Sequence, residues 1–122
     1  MAAPRFGPLL KALRRKRGFT LRRFCDEIGL DPGNFSRVER GLFAPPGPEK
    51  IKQYAEALGL ETGSDEYTEL LDAASIDRGE LPREFLTDEQ LVGELPVLFR
   101  TLRGQKVSVE ERDKLIELIR ER

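Results

Sequence analysis

Asn34, Ser36, Arg37 and Arg40 lie within seven residues of one another, behind Pro32 and Gly33, and between them they offer amide, hydroxyl and guanidinium groups. Such groups read hydrogen-bond edges or grip anions; they do not cleave bonds. Nothing else in the chain supplies a nucleophile with a base beside it. The chain has no histidine and one cysteine, which removes the usual general base near neutral pH and any common zinc site. Neither a metal nor a cofactor is expected, and an enzyme is the least favoured class. Carboxylates are abundant but scattered, as on solvated helix faces. Cys25 falls on the inward side of its segment, where a free cysteine acts as a small hydrophobe.

The polar cluster needs an element to present it. From Thr20 to Ile28 the apolar residues Leu21, Phe24, Cys25 and Ile28 recur at helical spacing, and Gly29 breaks the pattern. Asp31 then stands as a candidate N-cap directly before Pro32, a residue well suited to the first helical position. The helix predicted over Pro32 to Arg40 turns Phe35 and Val38 inward and leaves Pro32, Gly33, Asn34, Ser36, Arg37 and Arg40 facing elsewhere. Two short helices joined by a tight turn, with small and polar groups opening the second, suit close approach to base edges in the DNA major groove. The competing expectation is an ordinary helical hairpin in a bundle.

Charge distribution favours the first reading. Residues 1–52 hold 12 Lys or Arg against 5 Asp or Glu, whereas residues 53–122 hold 9 against 17. A formal net charge of −1 over 122 residues therefore conceals a basic half and an acidic half. The local field, not the total, decides what a surface attracts.

Further helices are predicted around this pair. One runs from Phe6 to Arg17, with Phe6, Leu9, Leu10 and Leu13 on one face, and ends at Gly18. After the proline-stiffened connector from Leu42 to Gly47, Pro48 opens a helix striped with Ile51, Tyr54, Ala55 and Leu58. Ser64 caps a fifth helix to about Ser75, buried through Tyr67, Leu70, Leu71 and Ala74. Residues 76–86 lack a clean period and read as a linker. Thr87 to Gln90 has the form of a capping box, and the helix it opens should kink or restart at Pro96. Ser108 to Glu111 is a second capping box, opening a last helix with Leu115, Ile116, Leu118 and Ile119 toward a partner surface. No stretch approaches the roughly 20 apolar residues that span a bilayer, and Met-Ala-Ala-Pro has no signal-peptide layout. A cytoplasmic protein without a membrane partner is expected.

Over residues 6–60 the sequence resembles the phage-repressor, or Cro-like (XRE), helix-turn-helix family. The resemblance is carried by Leu10-Lys-Ala-Leu-Arg14, Gly18-Phe-Thr20, Phe24-Cys25, Gly29-Leu30, Ser36-Arg37-Val38-Glu39-Arg40-Gly41, Pro45 and Ala55-Glu-Ala-Leu-Gly-Leu60. It implies an all-α protein: a five-helix DNA-binding domain over residues 1–75, the linker 76–86, and a short helical extension over 87–122. The resemblance also implies that Arg14 pairs with Glu39, and that Pro32, Gly33, Asn34 and Arg37 contact bases. Asn34 could pair two ways with adenine and Arg37 two ways with guanine. Thr20, Arg22, Arg23, Ser36 and Arg40 would hold phosphates. Many family members begin the second helix with a phosphate-binding glutamine; Leu21 stands there, which passes the contact to Thr20 or Arg22. Pro32-Gly33 makes a donor-poor tip, so specificity would be recovered by a homodimer on half-sites about 34 Å apart.

The tail offers Leu98, Phe99, Leu115, Leu118 and Ile119 as dimerisation candidates. It also resembles the end of repressors that IrrE-type metallopeptidases inactivate by cutting a Leu-Arg bond, which implies Leu102-Arg103 as the corresponding bond and a regulatory peptidase as a partner. The leading expectation is a dimeric, sequence-specific repressor of double-stranded DNA. The alternative is an antitoxin whose acidic second half binds a toxin while the first half autoregulates its operon.

Overall fold

The computed structural model describes residues 3–122, and every regular element among them is an α-helix. The chain divides into two compact units, one ending at Glu80 and one running from Leu81 to Arg122.

The first unit holds α1 (Phe6–Lys16), α2 (Leu21–Ile28), α3 (Pro32–Glu39), α4 (Pro48–Ala57) and α5 (Asp65–Arg78). Asp31 and Ser64, expected as N-caps, open their helices as such, and Thr20 caps α2 in the same way. Thr20 and Asp31 accept from the backbone N–H groups of Arg23 and Asn34, and Ser64 accepts from that of Tyr67. Each cap satisfies a donor that the first helical turn leaves open. Gly29, in the left-handed region at φ 69°, stops α2 and turns the chain into α3 without a Cβ penalty.

The apolar stripes of all five helices meet in one core that includes Phe6, Leu10, Phe24, Cys25, Phe35, Ile51, Tyr54, Leu58 and Leu70. Phe24, Phe35 and Tyr54 form its aromatic centre, with Phe35 and Tyr54 edge-on at 5.6 Å between centroids. Cys25 is fully buried, and loss of hydration pushes its thiol above the usual range. Burial raises the Tyr54 phenol to about 12, so it stays neutral at any ordinary pH.

Two features fasten α1 to the rest. At Gly7, a Cβ would fall 2.3 Å from the Val38 carbonyl oxygen and 2.5 Å from that of Glu39, so only glycine lets α1 approach the end of α3 this closely. Arg5, the N-cap of α1, has no capping side-chain bond, and the Asp77 carboxylate does the work from a distance. It accepts from Arg5 N at 2.9 Å and Phe6 N at 2.8 Å. The neighbouring Arg78 guanidinium donates to the carbonyls of Pro45 and Pro46, holding the loop that follows α3. Helix α5 therefore reaches three residues beyond Ser75, into the stretch read from sequence as linker. Its last turn is tied to two distant segments, which stabilises a helical end that has no strong period of its own.

The second unit holds α6 (Arg83–Leu86), α7 (Glu89–Leu102) and α8 (Val109–Arg120). Two expectations need correction here. Asp88, not Thr87, caps α7 by accepting from Leu91 N, while the Thr87 hydroxyl donates to the Glu84 carbonyl at the end of α6. The second correction is at Pro96, which does not restart the helix: α7 runs through it as one element of 14 residues. A proline inside a helix forfeits one backbone bond, and the packing of α7 on α8 outweighs that loss. The Ser108–Glu111 capping box forms as expected. Ion pairs Arg100–Glu111 at 2.6 Å and Lys114–Glu94 at 3.3 Å join the two long helices, and Arg122 reaches Asp88.

Candidate nucleic-acid interface

Helices α2 and α3 and the Gly29–Asp31 turn make the two-helix element anticipated from sequence, with α3 as its second helix. Phe35 is buried and Val38 half-buried beneath α3, while Gly33, Asn34, Arg37 and Arg40 are exposed. Pro32 and Ser36 are half-buried.

The end of α3 is locked from below. Arg14 on α1 and Glu39 on α3 are each only 4% exposed. Arg14 Nε donates to Glu39 Oε2 at 2.8 Å and Nη2 to Oε1 at 3.0 Å, a two-pronged pair. The remaining Nη1 donates to the Phe19 carbonyl at 2.8 Å. The Glu39 hydrogen bond, helped by its charge, raises the Arg14 pKa against the opposing effect of burial. Arg14 is thus the fastener between α1 and α3 that the resemblance implied, and its burial keeps it from any phosphate.

On α2, Arg22 and Arg23 are exposed, and the Arg23 guanidinium stacks over the Phe19 ring at 5.3 Å. The Thr20 hydroxyl accepts from Arg23 N, which leaves its own proton free for an anion. Arg40 Nε reaches back to the Ser36 carbonyl at 3.4 Å. The cationic groups expected to hold phosphates are therefore all on the exposed side of the element.

Asn34 and Arg37 do not stand apart: Arg37 Nη1 donates to Asn34 Oδ1 at 3.3 Å. The same guanidinium lies 5.8 Å from the centre of the Phe43 ring. Phe43 was missed from sequence; it lies in the proline-rich connector, and its backbone N–H turns back to the Arg37 carbonyl at 3.4 Å. Lys50 was missed as well. With Asn34, Phe43 and Tyr54 it lines a groove of about 260 Å³ beside α3.

In the second unit, Phe99 and Ile119 are exposed, Leu98 and Leu118 are half-buried, and Leu115 is buried within the unit. Leu115 is therefore a core residue of the α7–α8 hairpin rather than part of an open face. Leu102 ends α7 and is 75% exposed; Arg103 is its C-cap.

A buried helix-turn-helix scaffold with an exposed polar second helix defines the nucleic-acid-binding helix-turn-helix class. A family model described as a helix-turn-helix domain matches residues 5–67, and the chain belongs to that family. It is 40% identical over 55 residues to the HTH-type transcriptional repressor RghR of Bacillus subtilis (strain 168). That match covers 45% of this chain and 41% of the relative, so less than half of either protein is compared. No solved structure gives a significant match. Among the described residues no helix is long and apolar enough to cross a membrane.

Proposed function

We propose that this chain is a sequence-specific, double-stranded-DNA-binding transcriptional regulator that acts in the cell interior as a dimeric repressor, with α3 as the helix that enters the major groove. The observation that carries the reading is the exposed Asn34 and Arg37 on a short helix whose opposite side is fixed by Phe35 and the buried Arg14–Glu39 pair. Rigid backing under a polar, exposed helix start is what base readout requires. Arg22, Arg23, Arg40 and the Thr20 and Ser36 hydroxyls supply phosphate contacts, with Pro32 and Gly33 close to the bases. The repressor relative supports the regulatory direction; the antitoxin alternative gains nothing from that match.

Dimerisation falls to the helical extension. The second unit spans only residues 81–122 and buries two large apolar side chains, Val97 and Leu115, too few to stabilise so small a unit alone. Phe99 and Ile119, with the half-buried Leu98 and Leu118, are apolar surface that a second copy would cover. The exposed Leu102-Arg103 bond at the end of α7, where helices fray, suits recognition by a regulatory peptidase.

Charge reversal at Arg22 and Arg23 tests the DNA reading. Removing two phosphate contacts should lower affinity for all duplexes and reduce the slope of log K against log salt by about 1.8. An unchanged slope, with the variant folded by circular dichroism, rejects it. For the dimer, Phe99→Glu with Ile119→Glu should halve the mass seen in sedimentation; an unaltered dimer rejects the extension as its interface.

A further inference from the structure

The group that caps α3 is a carboxylate, and it stands at the end of the helix proposed to meet base edges. Asp31 is exposed and precedes Pro32 and Gly33, neither of which has a hydrogen-bonding side chain. Its Oδ2 accepts from Asn34 N at 2.9 Å, which fixes the side chain against the first turn. An ionised carboxylate has about four lone-pair sites, so this bond leaves Oδ1 and part of Oδ2 unused. A Cβ on Gly33 would fall 3.3 Å from Oδ2, tighter than ordinary van der Waals contact. A side chain at position 33 would therefore press on the carboxylate, and glycine leaves it uncovered. The Arg37 guanidinium donates to Asn34 Oδ1 and makes no ion pair with Asp31, so the charge is not neutralised within α3.

A negative charge at this place is not indifferent to sequence. In the major groove adenine N6 and cytosine N4 are donors, whereas guanine O6 and N7 and thymine O4 are acceptors. Docking α3 takes Asp31 out of water and brings it near phosphates that repel it. An exocyclic amino group opposite the carboxylate replaces the lost water with a charge-assisted hydrogen bond. A keto oxygen in the same place leaves a desolvated anion facing a lone pair. Serine or asparagine would cap α3 equally well without imposing this requirement.

We propose that Asp31 is a specificity-determining residue, whose carboxylate accepts from the amino group of cytosine or adenine at the base nearest the start of α3 and excludes guanine and thymine there. The bond that caps the first turn also holds the reading group in place. Asn34 and Arg37 lie further along the helix and read other bases. The inference rests on α3 entering the groove by its N-terminal end, as proposed above.

The test is selection of duplexes from a randomised pool by the full-length chain and by its Asp31→Asn variant. Asparagine is a cap of similar quality but carries a donor as well as an acceptor. The two selections should differ at one position, where the parent enriches cytosine or adenine. Competition binding then uses single transitions at that position, cytosine to thymine or adenine to guanine, each of which puts a keto group where the amino group was. The parent should lose affinity roughly ten-fold, and Asp31→Asn about two-fold or less, with melting temperature and the preferences at other positions unchanged. Higher affinity of Asp31→Asn for every duplex with all base preferences kept makes Asp31 a cap alone and overturns the inference, with α3 still the reading helix. A keto base enriched by the parent at the position that the variant alters overturns it in the same way. Failure of the parent to enrich any duplex overturns both readings.

Discussion

Removing one member of the Arg14–Glu39 pair should strip a large share of the first unit's stability, whereas replacing both should not. The two groups are each 4% exposed and joined by bonds of 2.8 and 3.0 Å, so either one left alone is a buried charge without a counterpart. Breaking such a pair costs about 3–5 kcal/mol. A unit of this size is stable by about 4–12 kcal/mol at the usual 0.05–0.15 kcal/mol per residue, so Arg14→Ala or Glu39→Ala removes between a quarter and all of it. Arg14→Met with Glu39→Leu fills the same space without charge. The Phe19 carbonyl then loses its donor, at about 1 kcal/mol, and the double variant should lie within about 2 kcal/mol of the parent. The assay is urea denaturation of the three variants followed by circular dichroism, with the coupling energy taken from the cycle. Since Arg14 has no access to a phosphate, the double variant should also keep the parent's DNA affinity. A single variant costing under about 1 kcal/mol, or additivity across the cycle, refutes the assignment of this pair as a desolvated fastener.

The same substitution should act with opposite sign in the two units. Gly7→Ala places a Cβ against the Val38 and Glu39 carbonyls and should destabilise by about 1–3 kcal/mol in chemical denaturation. Gly93→Ala, inside α7 with nothing within 4 Å, should stabilise by about 0.5–1 kcal/mol. Acid should loosen α7 and α8. The backbone N–H of Leu91, and then Arg122, hold the Asp88 carboxyl below its ordinary range; the backbone N–H of Ser108, and then Arg100, do the same for Glu111. Depressed folded values mean that this stabilisation is present above the ordinary carboxylate range, near pH 4, and is lost as pH falls through the lowered values. Protection factors of the α8 amides, taken against the intrinsic exchange rate at each pH, should therefore fall below about pH 4, and Asp88→Asn with Glu111→Gln should flatten that dependence. A steep dependence in the double variant would refute the assignment.

What could be read from sequence, and what could not, follows from how far each residue's partner lies along the chain. Thr20, Asp31, Ser64 and Ser108 cap helices whose backbone donors are three residues away, so their roles are written in a local pattern. The core stripes were legible for the same reason, because a helical period needs only its own segment. Asp77 and Arg78 act on residues more than 30 positions away, and their stretch has no period to announce them. Gly7 looks like a weak point in a helix until the α3 carbonyls are placed beside it. The Arg14–Glu39 pair, 25 residues apart, became legible only through the family resemblance.

The tip of α3 joins these two cases. Pro32-Gly33 reads as a loss of donors when each position is judged by its own side chain. In the folded chain the Arg37 guanidinium lies beside Gly33, and the connector returns Phe43 to its flank. A side chain four residues along thus reaches the tip that the local residues leave bare, and the contact that fixes it comes from a segment whose sequence signals only a turn. The hydrogen bond from Arg37 to Asn34 couples two side chains that the sequence shows three residues apart. The pair and its supports belong to the folded chain, and the sequence displays only the separate members.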